Sequence, residues 1–194
     1  NAIQNGEAIF SCSISFQKRE KGLSHQIKMP KIQGPEKLKS DLELRKDLQS
    51  KIPKDYLPMW LREREIETRQ VEPVDLLKAE KLPPYRSTWM KPTGKLPTDE
   101  RIHQALLLYV SDMGLLGAAV NPHEVNFMSK KFQSASLDHV MWFHGKVNFN
   151  NWILHHMHSP ISQNARGFSR GSIYTKSGKL IASTAQEGLM RIWD

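Results

Sequence analysis

From Ile102 to Val120 most positions are apolar, and the run is apolar nearly all round a helix. A helix with that pattern is buried on most sides. Thr98 reads as its N-cap, Asp99 and Glu100 place acids in the first turn, and Pro122 stops it. Period-two patterns then predict strands at about 133–144, 151–158, 165–175 and 179–193, with Ser177-Gly178 turning the last pair. Weaker strand signals lie at 66–72 and, behind Pro83-Pro84, at 85–91. At the start, "NAIQNGEAIFSCSISFQ" places Asn5-Gly6 between apolar runs, a strong hairpin signal. Residues 18–65 are charged and poor in apolar positions, with Pro30, Pro35, Pro53 and Pro58 and a helical piece around Glu36 to Lys51. The expected organisation is a hairpin over 1–17, a charged linker over 18–65 and one folded unit over 66–194. A buried helix followed by antiparallel strands is an α+β plan, satisfied by a sheet wrapped around a central helix.

Three polar residues stand where this pattern expects apolar ones. Asp112 lies inside the apolar helix. Gln186 shares a strand face with Leu180, Ala182, Thr184, Met190 and Ile192. Ser136 opens the aromatic-rich strand "SLDHVMWFH". A carboxylate, a hydroxyl and an amide converging between helix and sheet can hold one water, with the carboxylate as general base. Burial would make that carboxylate a stronger base, and hydrogen bonds to its charged form would oppose the effect. A buried structural network of the same three residues is the reading that spacing alone favours, because buried polar groups are ordinarily paired.

Composition narrows the classes without choosing one. The chain has 194 residues, 39% hydrophobic, with a net charge of +8 and a mean hydropathy of -0.54. The positive balance suits an anionic partner, but much of it sits in the linker, and no nucleic-acid motif accompanies it. No stretch is expected to reach the ~18 apolar residues of a membrane span. The single cysteine, Cys12, excludes an intramolecular disulfide and fits a reducing compartment. No P-loop, dinucleotide fingerprint or Gly-x-Ser-x-Gly elbow occurs. His155, His156 and His158 cluster without a metal-ligand spacing, so no metal is expected. His139 and His144 flank "VMWF" and read as core or rim hydrogen-bonders. Arg166 and Arg170 share a strand face, suited either to a phosphate or to salt bridges.

A faint repeat links the two ends. Gly6, Ile9 and Ser11 match Gly178, Ile181 and Ser183, which makes the first hairpin the close of an earlier copy. Ile14 then takes the place of Gln186, so only the second copy would be catalytic.

The motifs "HQALLLYVSDMGLLGAAVNPH", "SLDHVMWFH" and "ARGFSRGSIYTKSGKLIASTAQEGLMR" closely resemble the acyl-CoA thioesterase II family, double hot dog hydrolases of fatty acyl-CoA. The opening hairpin resembles the end of that family's first hot dog, and "HQIKMP" the start of its interdomain linker. The resemblance implies an α+β hot dog fold, a truncated first copy, and catalytic roles for Asp112, Ser136 and Gln186. It implies a fatty acyl-CoA substrate, no cofactor and no metal, with a homo-oligomer as the expected assembly. The thioester oxygen would meet backbone N–H groups near Gly114, the acyl chain an apolar tunnel, and the nucleotide phosphates Lys146, Arg166 or Arg170. Departures are Gly145-Lys146 after "WFH", where bacterial relatives often carry Arg-Pro, and the stretch "EVNFMSKKFQSA". The chain ends "RIWD" without a Ser-Lys-Leu address, yet the style of the linker and Ser136 resembles peroxisomal members, with the cytosol as alternative. Two rivals stand beside this expectation: a non-catalytic acyl-CoA-binding or assembly subunit, and a hot dog hydratase that would need His103 near Asp112.

Overall fold

The computed structural model describes residues 1–75, 77–125, 127 and 129–193. Strands β1 (Ala2–Gln4) and β2 (Glu7–Phe10) form the expected hairpin across Asn5-Gly6, and every residue of both is exposed. Helices α1 (Asp41–Asp47) and α2 (Leu57–Trp60) follow. Ser40 starts α1 with a reciprocal capping box: its side chain accepts from Glu43 N, and Ser40 N donates to the Glu43 carboxylate.

The rest is one antiparallel sheet around a broken helix. β3 (Ile66–Gln70), β4 (Tyr85–Pro92), β7 (Ile153–Gln163), β8 (Arg166–Thr175) and β9 (Leu180–Ile192) lie side by side in that order. The far edge of β9 is shared by β5 (Phe132–Ser136) and β6 (Val140–Phe143). Helices α3 (Glu100–Ser111) and α4 (Leu115–Val120) lie against the inner face. Leu107 and Val110 of α3 meet Met90, Phe149, Ile153, Ile173 and Ile181 in the main core. α4 comes closest where the sheet has no side chain: a Cβ at Gly188 would stand 2.6 Å from Leu116, and one at Gly167 2.5 Å from Ala119. The α+β plan and the wrapped sheet are as expected from the pattern.

Several expectations need correction. The helix is two helices, because Gly114 takes φ +80° between them, a conformation that ends a helix and suits glycine. Its N-cap is Asp99, whose carboxylate accepts from Arg101 N at 3.0 Å, rather than Thr98. The length expectation for membrane spans also fails: Glu100–Val120 taken as one piece is long and apolar enough by length and composition. The break and the buried α4 mark it as the core helix of the sheet. The strand expected over 133–144 is β5 and β6, separated by Leu137–His139; three residues there face two of β9, the pattern of a β-bulge. β7 runs on past Pro160 through a register shift and turns at Asn164-Ala165, both at positive φ. Proline lacks an N–H and is tolerated at such an irregularity.

Residues 18–65 are not a free linker. Met29, Ile32 and Leu38 pack with Trp89, Leu154 and Tyr174 on the outer face of the sheet. Trp89 Nε1 donates to Gln33 O (2.9 Å) and Arg69 to Pro35 O (2.7 Å). Gln26 donates to Gly178 O and accepts from Leu180 N. Arg45 is buried, and Trp60 Nε1 donates to its carbonyl at 2.8 Å. The segment is a strap. Apart from the Arg45–Asp41 pair, most of its charges face solvent, while its scattered apolar residues cover the sheet's back.

Candidate active site

The helix break, the strand bulge and the middle of β9 meet at one point. Asp112 is the C-cap of α3, just before the left-handed Gly114. Ser136 ends β5, opposite Gly188. Gln186 projects from the inner face of β9 and is only 2% exposed. Gln186 Nε2 donates to Asp112 Oδ1 at 2.7 Å and also to Ser136 Oγ. Ser136 Oγ donates in turn to Asp112 Oδ1 at 3.2 Å. The three residues isolated from the sequence therefore form one closed set. Both amide protons of Gln186 and the hydroxyl proton of Ser136 are used within it. Asp112 Oδ2 has no hydrogen-bond partner among the described residues.

One premise of the sequence reading fails here: Asp112 and Ser136 are exposed, and only Gln186 is buried. The carboxylate is instead fixed by two donors on one oxygen, leaving the other open to solvent. The expected apolar tunnel is likewise an open surface. Tyr109, Met113, Leu137 and Val140 are all exposed around the site.

A fourth side chain completes the network, and the sequence reading had left it as a core or rim hydrogen-bonder. The bulge turns His139 toward Gln186, with Nδ1 3.4 Å from Oε1. Its Nε2 lies 2.7 Å from Ser111 Oγ, a fully buried hydroxyl that also donates to Leu108 O at 2.7 Å. The available signal was its position, three residues after Ser136, but straight alternation would not aim both at one point. Only the extra residue of the bulge does so.

The remaining candidates sit elsewhere. His144 Nε2 lies 2.8 Å from Ser183 Oγ, the rim contact expected of it. His103 is buried and its Nδ1 accepts from Phe149 N at 3.1 Å, so it anchors a loop. His156 pairs with Ser87 at 3.0 Å. His155 is fully buried, and desolvation pushes its imidazole down to about 3. Arg166 and Arg170 alternate with the inward-facing Gly167, Ser169 and Gly171, so they stand on the face opposite Gln186. Arg166 pairs with Glu187 at 3.2 Å, and Arg170 lies over the Phe168 ring. Lys146 is exposed beyond the end of β6. The divergent stretch 124–135 includes Asn126 and Met128, which lie outside the described residues.

An antiparallel sheet curled around one helix, with its polar residues at the helix break, defines the hot dog class. A protein with a hot dog fold from Alicyclobacillus acidocaldarius superimposes with a TM-score of 0.62 over 91% of this chain and 60% of its own, at 14% identity, a likeness of fold alone. The family model described as acyl-CoA thioesterase matches residues 60–189. The chain is 35% identical to acyl-CoA thioesterase 2 of Haemophilus influenzae across 98% of its own length and 66% of the relative's. The crystal structure of an acyl-CoA thioesterase II, TesB2 of Mycobacterium marinum, superimposes with a TM-score of 0.73 at 31% identity, covering 99% of this chain and 66% of that one. This chain belongs to the acyl-CoA thioesterase family. It spans just under two thirds of the length of those two relatives.

Proposed function

We propose that this protein hydrolyses fatty acyl-CoA to a free fatty acid and CoA, with a water activated by Asp112. The observation that carries the reading is the free Oδ2 of Asp112, on a carboxylate whose other oxygen is held by Gln186 and Ser136. A water on Oδ2 gives up a proton as its oxygen attacks the thioester carbonyl carbon. The carbon–sulfur bond then breaks, and the protonated Asp112 returns the proton to the leaving thiolate. Gln186 and Ser136 hold the carboxylate in place while this happens. The Gly114 N–H, which makes no hydrogen bond among the described residues, supports a role as donor to the thioester oxygen.

The exposed apolar rim supports a second hot dog lobe, or a second copy of this chain, as the roof of the acyl site. Light scattering checks that assembly. Lys146 is the basic residue we retain for the nucleotide; Arg166 and Arg170 face away from the site. We infer the peroxisome as compartment from the resemblance to peroxisomal members, to be checked by imaging the tagged protein.

Asp112→Asn keeps the shape and removes the base. With octanoyl- and palmitoyl-CoA it should lower kcat by ~10²-fold or more, with little change in KM. A variant retaining half the wild-type rate would exclude the water-activation role. The assembly-subunit rival predicts no hydrolysis by the wild-type protein at all.

A further inference from the structure

We propose that His139 is a positioning residue for this hydrolysis: its Nδ1–H clamps the carbonyl end of the Gln186 amide, so that both amide protons stay on Asp112 and Ser136. The inference rests on the thioesterase reading. It starts from proton counting. Gln186 Nε2 has two protons, and both are committed, to Asp112 Oδ1 and Ser136 Oγ. Its Oε1 can only accept, and the side chain is 2% exposed, so water does not readily supply a donor. The group facing Oε1 is His139 Nδ1, at 3.4 Å. A lone pair there would repel the carbonyl; a proton satisfies it.

The other side of the ring is compatible with that tautomer. If His139 is neutral with its proton on Nδ1, Nε2 accepts from Ser111 Oγ–H at 2.7 Å, and that hydroxyl turns its single proton away from Leu108 O. If it is doubly protonated, Nε2–H donates to Ser111 Oγ, and Ser111 donates to Leu108 O at 2.7 Å. Both arrangements keep a proton on Nδ1. The neutral Nε2–H tautomer is the one that leaves the buried Oε1 unpaired. Without His139 the amide must turn in search of a donor, and each turn removes a proton from Asp112 or Ser136. The carboxylate then loses the contact that fixes Oδ2 toward the water. The 3.4 Å spacing makes this a weak clamp, so its loss should be smaller than the loss of Gln186 itself.

Three variants and one spectrum test the proposal. His139→Phe keeps a ring and removes both nitrogens. It should lower kcat by about tenfold, the scale of one hydrogen bond, with KM within about twofold. His139→Asn carries an amide N–H near the Nδ1 position and should restore most of that loss. In a Gln186→Leu background, His139→Phe should cost nothing further, since the clamp then has nothing to hold. A purely structural His139 predicts the reverse: losses that multiply, and no rescue by asparagine. Either result overturns the proposal. Long-range ¹H–¹⁵N spectra of the wild-type protein give a readout independent of turnover and of variant folding. They should show a proton on His139 Nδ1, and a neutral Nε2–H tautomer would refute the clamp. A wild-type protein without hydrolase activity would refute the thioesterase reading, while the spectrum would still decide the geometry at Gln186.

Discussion

Both halves of the central helix carry runs of apolar residues, and they differ in how much of that surface is covered. In α4, Leu115, Gly117, Ala118, Ala119 and Val120 are all buried. In α3, Ile102, Leu108 and Tyr109 are exposed, Tyr109 to 65%. Hydrophobicity alone does not locate burial; a partner surface does. α4 has one, in the glycine-floored inner face of the sheet. The outer side of α3 has none among the described residues. The polar network lies at the border between the two, where the sheet's cover ends.

The sharpest way to break the comparison is to truncate a leucine on each side. Leu115→Ala should cost about 2–5 kcal/mol of stability, the range for a buried leucine. Leu108→Ala, 46% exposed, should stay within roughly 0.5–1 kcal/mol in the isolated chain, yet reduce self-association in light scattering. Equal costs in urea unfolding would mean that α3 is covered as completely as α4. Next comes the border itself. Gln186→Leu suits an apolar face and should leave the melting temperature unchanged or higher, because it removes a buried polar group. Hydrolysis should fall on the order of 10²-fold. A large drop in melting temperature at normal rate would return Asp112, Ser136 and Gln186 to a structural network.

A smaller effect follows from the buried side. His155 has a folded value of about 3 against an ordinary 6.5, so below pH 6.5 the unfolded chain binds a proton that the folded chain refuses. The associated stability is present above 6.5 and lost as pH falls toward 3, by an amount on the order of a few kcal/mol. Burial lowers the neighbouring His156 as well, in the same sense. His155→Leu should flatten that part of the curve in denaturant titrations; an unchanged slope would show that the loss arises elsewhere. The smallest effect belongs to the outer face. Arg170→Ala should change KM for acyl-CoA by less than about twofold, as expected for an exposed charge. A larger rise would bring the nucleotide around to the face opposite Gln186.

Much of this was legible in the residues. The strands of the sheet follow from alternation, and the three polar exceptions do converge. What failed shares one physical cause: local backbone irregularity carries little signal in a hydrophobic pattern. Gly114 looks like one more small residue in an apolar run, and its left-handed φ depends on how the two half-helices must pack. The bulge at Leu137–His139 adds a residue without breaking the apolar content around it, so His139 was assigned to ordinary rim contacts. The strand expected over 151–158 runs on to Gln163, because the sheet absorbs Pro160 at a register shift. The strap over 26–38 was misread because its few apolar residues, Met29, Ile32 and Leu38, are spaced too widely to give any period. Exposure at Asp112 was beyond the pattern altogether, since it depends on what covers α3.

The strap also sets a leash. Because Gln26 is pinned to the turn at Gly178, the β1–β2 hairpin cannot drift freely. The stretch between Phe10 and Gln26 spans roughly fifty ångströms when fully extended. A surface tethered on so short a chain would encounter the bare side of α3 at an effective concentration of order millimolar. Contacts far too weak to hold two separate molecules together would still keep the two in frequent company. Shortening or lengthening the leash would then change how often the rim is covered without altering a single contact.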